Sequence, residues 1–342
     1  MTYRILTFLI AALSLTACSW RSGLQADAPA MTPVHDSSPQ PAEAQRPAEK
    51  IDTDLQNQLT EITAKAQGHV GVGVTLLETG DSAWVERQGH FATQSVYKLP
   101  IAMAALKMVD NGNVRIDQDI NITPADYVRR GFHSPIRNLY PQGAQLPLGD
   151  IVRYSLSESD GSANDVLLGV AGGPEKVQEY LKQIGIKDFV IADSTKDISR
   201  DWETQFRNWA TPEESINLLR TIAVHREGLG DQTHNLLLGA MTDAETGHRR
   251  LRRGLPHGAT LAHKTGTGGV QDGVTSATND IGIITLPDGR HILIAVYIEN
   301  SPADPWTRNQ VMTDIAKAVC QRWYMPPATL AGTDRSKART KM

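Results

Sequence analysis

Gln94-Ser95-Val96-Tyr97-Lys98-Leu99-Pro100 opens an apolar run that continues to Val109 and is broken by Asp110-Asn111-Gly112-Asn113. The run predicts a buried central helix over Ser95 to Val109, ended by a Gly/Asn stop. Pro100 falls within the first two turns, where its missing N–H matters least. Residues three apart share a helix face, so the Ser95 hydroxyl and the Lys98 amine can meet. A serine hydroxyl is a weak nucleophile until a base removes its proton, and a lysine serves as that base only where burial or a neighbouring cation lowers its pKa. The two residues are therefore a candidate nucleophile and base. A nucleophile at a helix N-terminus also stands beside unpaired N–H groups able to hold an oxyanion.

Outward from this helix, the N-terminal side holds a helical spacing at Ile51, Leu55, Leu59, Ile62 and Ala66, predicting one helix over Ile51 to Ala66. A β-branched strand follows from Val70 to Leu77, then a turn at Thr79 to Ser82 and a strand around Ala83 to Arg87. On the C-terminal side, Asp117 to Gly149 reads as a long polar connection carrying Phe132-His133-Ser134-Pro135-Ile136-Arg137. Helical spacing returns over Leu148 to Ser157, Ser162 to Gly169 and Glu175 to Ile184. A polar break at Ser159-Asp160-Gly161 separates the first two. Val190 to Trp209 has no apolar period, and a loop of that length inside a compact domain is usually functional.

Thr211-Pro212-Glu213-Glu214 supplies an N-cap and a proline at the first helical position, launching a helix to Val224. A short helix over Asn235 to Thr242 precedes a basic stretch in which Arg249-Arg250 and Arg252-Arg253 read as a solvated face. A strand-like run ends in Lys264-Thr265-Gly266, and strands over Ala277 to Leu286 and His291 to Ile298 flank the turn Pro287-Asp288-Gly289-Arg290. Pro305 to Trp323 closes as an amphipathic helix. The order predicts an α+β fold: a five-stranded antiparallel sheet built from both ends of the chain, flanked by the N- and C-terminal helices. An all-helical lobe is inserted between, with the site where the two lobes meet.

With 342 residues, 40% of them hydrophobic, the chain can bury a substantial core. A net charge of -4 gives no electrostatic case for nucleic acid. The ten histidines form no HExxH and no Cys/His cluster, and no phosphate-binding glycine loop occurs, so neither a metal nor another cofactor is expected. Residues 1–17, with Arg4 before the apolar run Ile5 to Ala17, read as a signal peptide too short to span a bilayer. Leu15-Thr16-Ala17-Cys18 resembles a bacterial lipobox, which implies a lipidated Cys18; the alternative is an ordinary cleaved signal. With Ser19 after it, the resemblance implies anchorage in the inner leaflet of the outer membrane, on the periplasmic side. Residues 18–50, dense in Pro, Ala, Ser, Asp and Gln, read as a disordered tether, and 326–342 as a disordered basic tail. Acylation of Cys18 leaves Cys320 without a partner, so no intrachain disulfide is expected.

Ser95-x-x-Lys98, Ser159-Asp160-Gly161 and Lys264-Thr265-Gly266, in that order, resemble the S-x-x-K, S-D-N and K-T-G motifs of class A β-lactamases and penicillin-binding proteins. The likeness spans about Ile51 to Tyr324, leaving 51–325 as a catalytic domain. It is nearest the extended-spectrum subgroup, through Ser134-Pro135-Ile136-Arg137, Gln205-x-x-Asn208-Trp209, the run His263 to Gly268, and Ala277-Thr278-Asn279-Asp280. The resemblance implies a monomeric enzyme acting on a small-molecule β-lactam. It implies acylation of Ser95 with Lys98 taking or relaying its proton, and Ser159, held by Lys264, passing a proton to the lactam nitrogen. Thr265 and Thr267 then contact the substrate carboxylate beside Gly266, and the N–H groups of Ser95 and Thr267 form the oxyanion hole. His133 falls where the family has an aromatic gatepost.

Two positions depart from that pattern. Gly161 replaces the asparagine that binds the substrate's amide carbonyl, a loss of roughly 0.5–1.5 kcal/mol if water replaces it. The loop glutamate that activates the deacylating water falls on Thr195, or on Ser194 in the neighbouring register, and neither is a base near pH 7. Of the loop's acids, the two to weigh are Glu203, in a Trp202-Glu203 pair that looks like the family's Trp-Glu, and Asp197. The deacylation base is then Glu203, Asp197 or Lys98, with Glu203 carried as the candidate catalytic residue. Alternatives to a hydrolase are a penicillin-sensing protein that acylates and stalls, or a peptidoglycan D,D-peptidase.

Overall fold

The computed structural model describes residues 47–224 and 228–324. The expected signal peptide, Cys18, most of the tether and the basic tail lie outside the described residues. Among the described residues no helix is long and apolar enough to cross a membrane.

The chain runs β1 (Lys50–Ile51), α1 (Thr53–Thr63), β2 (His69–Leu76), β3 (Asp81–Val85), β4 (Phe91–Ala92), a 3-10 turn over Gln94–Tyr97, and α2 (Lys98–Asp110). A hairpin of β5 (Asp119–Ile122) and β6 (Ala144–Pro147) encloses α3 (Pro135–Leu139). The helical lobe continues with α4 (Leu148–Leu156), α5 (Gly161–Val170) and α6 (Pro174–Gln183). Then β7 (Phe189–Val190), α7 (Thr195–Ile198) and β8 (Trp209–Ala210) lead to α8 (Pro212–Ala223) and α9 (Asp231–Thr242). The chain ends in β9 (Thr260–Thr267), β10 (Val270–Gln271), β11 (Val274–Thr285), β12 (His291–Ser301) and α10 (Pro305–Trp323).

The main sheet runs β1-β3-β2-β12-β11-β10, with β9 also paired to β11. The five long strands β2, β3, β9, β11 and β12 pair antiparallel as expected; the two-residue β10 and the parallel β1 are additions at its margins. Strand β12 alternates between two cores. Leu293, Ala295 and Tyr297 face the core shared with α2 and the helical lobe, while Ile292, Ile294, Val296 and Ile298 face α1 and α10. Covered on both sides, it carries apolar residues on both faces, which is why the run reads as continuous rather than alternating.

Capping fixes where the helices begin. Thr211 accepts from the Glu214 N–H to start α8, Asp304 accepts from Trp306 and Thr307 to start α10, and Asp160 accepts from Ala163 to start α5. Three expectations shift. Ile51 is exposed and lies in β1 rather than on the first helix, and the end of the expected tether is held to the sheet by Lys50 and Glu49, whose carboxylate accepts from Trp84 Nε1 at 3.0 Å. The connection over Asp117 to Gly149 is partly ordered by the β5–β6 hairpin, because Ile120, Ile122 and Leu146 reach the helical core. Ser95 sits in the 3-10 turn before α2, not in an α-helix; a 3-10 turn eclipses residues i and i+3 and still stacks Ser95 with Lys98.

The loop over 191–208 is closed at its neck by Asn208, buried to 1% exposure. Its Oδ1 accepts from Ala192 and Asp193 N–H at 2.8 and 2.9 Å, and its Nδ2 donates to the Asp193 carbonyl at 2.9 Å. Replacing Asn208 by Ala strips three backbone groups, two of them buried and one part-buried, of partners and is expected to lower the unfolding free energy by about 3 kcal/mol in a denaturant titration, with earlier proteolysis inside the loop.

Candidate active site

Ser159 is where the two lobes meet chemically. It sits in the break between α4 and α5 with φ +57°, a left-handed conformation that a non-glycine residue adopts only when its surroundings force it. The force comes from Asp160, fully buried, whose carboxylate accepts from Ala163 N–H at 2.9 Å, Ile136 N–H at 2.7 Å and Ser134 Oγ at 3.0 Å. Turned this way, Ser159 presents its carbonyl to Lys98 Nζ at 2.6 Å and its hydroxyl to Lys264 Nζ at 2.9 Å.

Both amines are dry. Burial lowers Lys98 to about 8 against the opposing pull of Asp160 and Asp165. Lys264 lies well below the usual lysine range, first because it is fully buried and next because Lys98 stands close, with Arg250 adding to the effect and Asp280 opposing it. Two neighbouring buried ammonium groups repel, so one amine is readily available in its free form.

Strand β9 reaches the nucleophile only because residue 266 is glycine. A Cβ there would lie 2.5 Å from the Thr93 carbonyl, and Asn279 on β11 ties the same segment down, its Nδ2 donating to Ala92 O at 2.7 Å and Thr93 O at 3.1 Å. A cavity of about 640 Å³ opens here. Ser95, Lys98, Ser159, Gly161, His133, Thr265 and Thr267 all line it, and Lys264 meets it through Ser159. His133 is at the exposed rim with Nε2 2.8 Å from the Glu158 carbonyl.

Glu203 is not brought in. It is exposed, outside the cavity lining, because Trp202 and, on the turn Thr204–Phe206, Gln205 take the inward positions. Asp197 is committed elsewhere: it accepts from Ser194 Oγ at 2.6 Å and pairs with Arg200 at 2.8 Å, which holds its carboxyl below the usual range. Thr195 occupies the inward position of the loop. Its Oγ1 lies 2.8 Å from Tyr97 OH and 3.2 Å from Asn164 Nδ2, and its N–H donates to Asp165 at 2.7 Å.

The two departures from the family pattern touch each other: a Cβ on Gly161 would lie 2.9 Å from Thr195 Cγ2. Sequence reading also missed Arg250. Far from a solvated side chain, it lines the cavity and donates to Gly266 O at 3.0 Å, Asn279 O at 2.7 Å and Thr267 Oγ1 at 2.6 Å, whereas Arg249 and Arg253 are exposed. Nothing local separates these arginines; only the path of β9 does.

An alcohol at a helix entrance, a second serine that meets two dry lysines through its carbonyl and its hydroxyl, and a cavity at the lobe junction define a serine hydrolase that works through an acyl-enzyme. Comparison agrees. Residues 54–323 match the model of the Beta-lactamase enzyme family. Beta-lactamase VEB-1 of Pseudomonas aeruginosa is 36% identical over 72% of this chain and 83% of its own length; Extended-spectrum beta-lactamase PER-1 of the same organism is 32% identical over 78% and 86%. The crystal structure of a beta-lactamase from Chitinophaga pinensis superposes with a TM-score of 0.76 at 36% identity, covering 79% of this chain and 99% of that one. The TLA-3 extended-spectrum beta-lactamase gives 0.76 at 32%, with 79% and 98% covered. The chain belongs to the Beta-lactamase enzyme family and is a class A serine β-lactamase, an antibiotic-resistance hydrolase.

The contact between Gly161 and Thr195 yields a double-mutant test. Gly161→Ala is expected to cost about 1–3 kcal/mol by overpacking against the fixed, β-branched Thr195. Thr195→Ser removes the opposing methyl and keeps the hydroxyl, so Gly161→Ala/Thr195→Ser should recover most of that loss in thermal unfolding.

Proposed function

We propose that this enzyme opens the lactam through Ser95, with Lys98 as the base of the acylation step. The observation that carries the assignment is Ser159 bound at once to both lysines, by its carbonyl and by its hydroxyl. The free amine of Lys98 takes the Ser95 proton as Oγ attacks the lactam carbonyl. The backbone N–H groups of Ser95 and Thr267 receive the oxyanion. As the C–N bond breaks, the Ser159 hydroxyl, polarised by Lys264, delivers a proton to the ring nitrogen and recovers one from Lys98. Thr265, Thr267 and Arg250 form the end of the cavity suited to the substrate carboxylate. Gly161 leaves the amide side with one hydrogen-bond donor fewer, and His133 flanks the entrance.

We further propose that the enzyme works as a single copy, held by a lipid on Cys18 at the inner leaflet of the outer membrane. The Leu15-Thr16-Ala17-Cys18 run followed by Ser19 supports the anchor. A cavity lined by Ser95, Lys98 and Ser159, with Lys264 behind Ser159, all from one chain, supports the monomer.

Mixing the protein with nitrocefin while following colour and intact mass tests the chemistry: sustained colour is expected from the wild type, and Ser95→Ala should lose turnover by at least about a thousandfold and form no adduct. Persistence of an adduct on Ser95→Ala rejects the nucleophile. For the anchor, Cys18→Ala is expected to move activity from the membrane pellet to the soluble periplasmic fraction.

A further inference from the structure

Once Ser95 carries the acyl group, water must lose a proton to attack the ester, and the carboxylates around the cavity are engaged. Asp160 and Asp165 accept backbone N–H groups, Asp165 those of Thr195 and Lys196 at 2.7 and 2.9 Å. Asp201 lines the cavity but is exposed and caps the next turn, accepting from Thr204 N–H at 2.8 Å. What the loop offers instead is the Thr195 hydroxyl, buried to 6% exposure and held between Tyr97 OH and the Asn164 amide.

That hold is specific. Asn164 is fully buried, its Oδ1 has no hydrogen-bond partner among the described residues, and its Nδ2 is spent on Thr195 and Asp165. A buried orphan acceptor is costly and is retained where the rest of the group has a job. The Tyr97 phenol is kept protonated by burial, with Asp165, Asp193 and Asp197 pushing the same way, so it acts as a hydrogen-bonding group and not as a base.

Resting on the acyl-enzyme reading above, we infer that Lys98 is also the base of deacylation, with the Thr195 hydroxyl orienting the hydrolytic water and Tyr97 and Asn164 positioning that hydroxyl. The proton balance allows it. Acylation leaves the serine proton on the former lactam nitrogen, so Lys98 returns to the free amine. Water oxygen bonds to the ester carbon, its proton passes to Lys98 Nζ, and the carbonyl electron pair moves to oxygen. On collapse the bond to Ser95 Oγ breaks, Oγ takes the proton back from Lys98, and the product acid leaves. The groups facing Lys98 are Asp160 and Asp165 from the start of α5 and Lys264 from β9; the loop contributes Thr195, which carries no charge.

The signature is in the pH dependence of the second step. With Lys98 at about 8, the free amine is the minor form at pH 6 and the major form at pH 9. Deacylation of a preformed acyl-enzyme, followed by intact mass after a pH jump, is expected to speed up about tenfold per pH unit from 6 to near 8 and then level off. A carboxylate base gives a flat profile over that range. Thr195→Val, which keeps shape and removes the hydroxyl, should slow deacylation by about tenfold or more while changing acylation less than about twofold, and Tyr97→Phe should do the same more weakly. Asp201→Asn and Glu203→Gln should leave both steps unchanged. A flat profile, an unslowed Thr195→Val, or slow deacylation in either carboxylate variant overturns the inference while leaving Ser95 acylation standing. If the wild type forms no adduct at all, the underlying reading fails, and the inference with it.

Discussion

One residue in a conformation it would not choose holds this site together. Ser159 spends its carbonyl on Lys98 and its hydroxyl on Lys264, so a helix of one lobe and a strand of the other are joined through a single side chain and its own backbone. Asp160 maintains that conformation by taking three hydrogen bonds from α3 and α5 into one buried carboxylate. The energetic consequence is electrostatic. Two amines brought close in a dry space cannot both keep a proton cheaply: burial brings Lys98 down to about 8, and burial with the neighbouring Lys98 pushes Lys264 well below the usual lysine range.

The family pattern departs from itself in a correlated way. The asparagine missing at Gly161 and the glutamate missing at Thr195 are two faces of one contact, since a side chain at 161 would run into the Thr195 methyl. One helical turn further along α5, on the same face, Asn164 brings an amide back and gives it to the Thr195 hydroxyl. A carboxylate and an amide have been exchanged for an alcohol, a phenol and a displaced amide, a set that can orient water but cannot accept its proton. That shifts the acid–base work onto the lysine already present.

The sheet supplies the rigidity this requires. Strands β11 and β12 are buried on both faces, so β9 is presented to the helical lobe from a fixed backing. Glycine at 266 then lets β9 pass within contact of Thr93, one residue from the positive-φ Gln94 that turns the chain into the nucleophile. Arg250, at the cavity wall, ties β9 to β11 through the Gly266 and Asn279 carbonyls.

Sequence alone determined whatever depends on short range: the helix starts at Thr211-Pro212 and Asp304-Pro305, the β-branched strands, and the three motifs whose residue types permit only a narrow chemistry. It also located the missing loop base, because an absent ionisable group is visible in one dimension. It misplaced Glu203, Arg250 and the β5–β6 hairpin for one shared reason. Whether a loop carboxylate turns in or out, whether an arginine among four lies against a strand or in water, and whether weakly apolar segments pair are settled by contacts with residues 16 or more positions away. Tertiary packing decided those, and it decided the conformation of Ser159, since only a buried carboxylate anchored to two other helices can hold a serine in the left-handed region between two lysines.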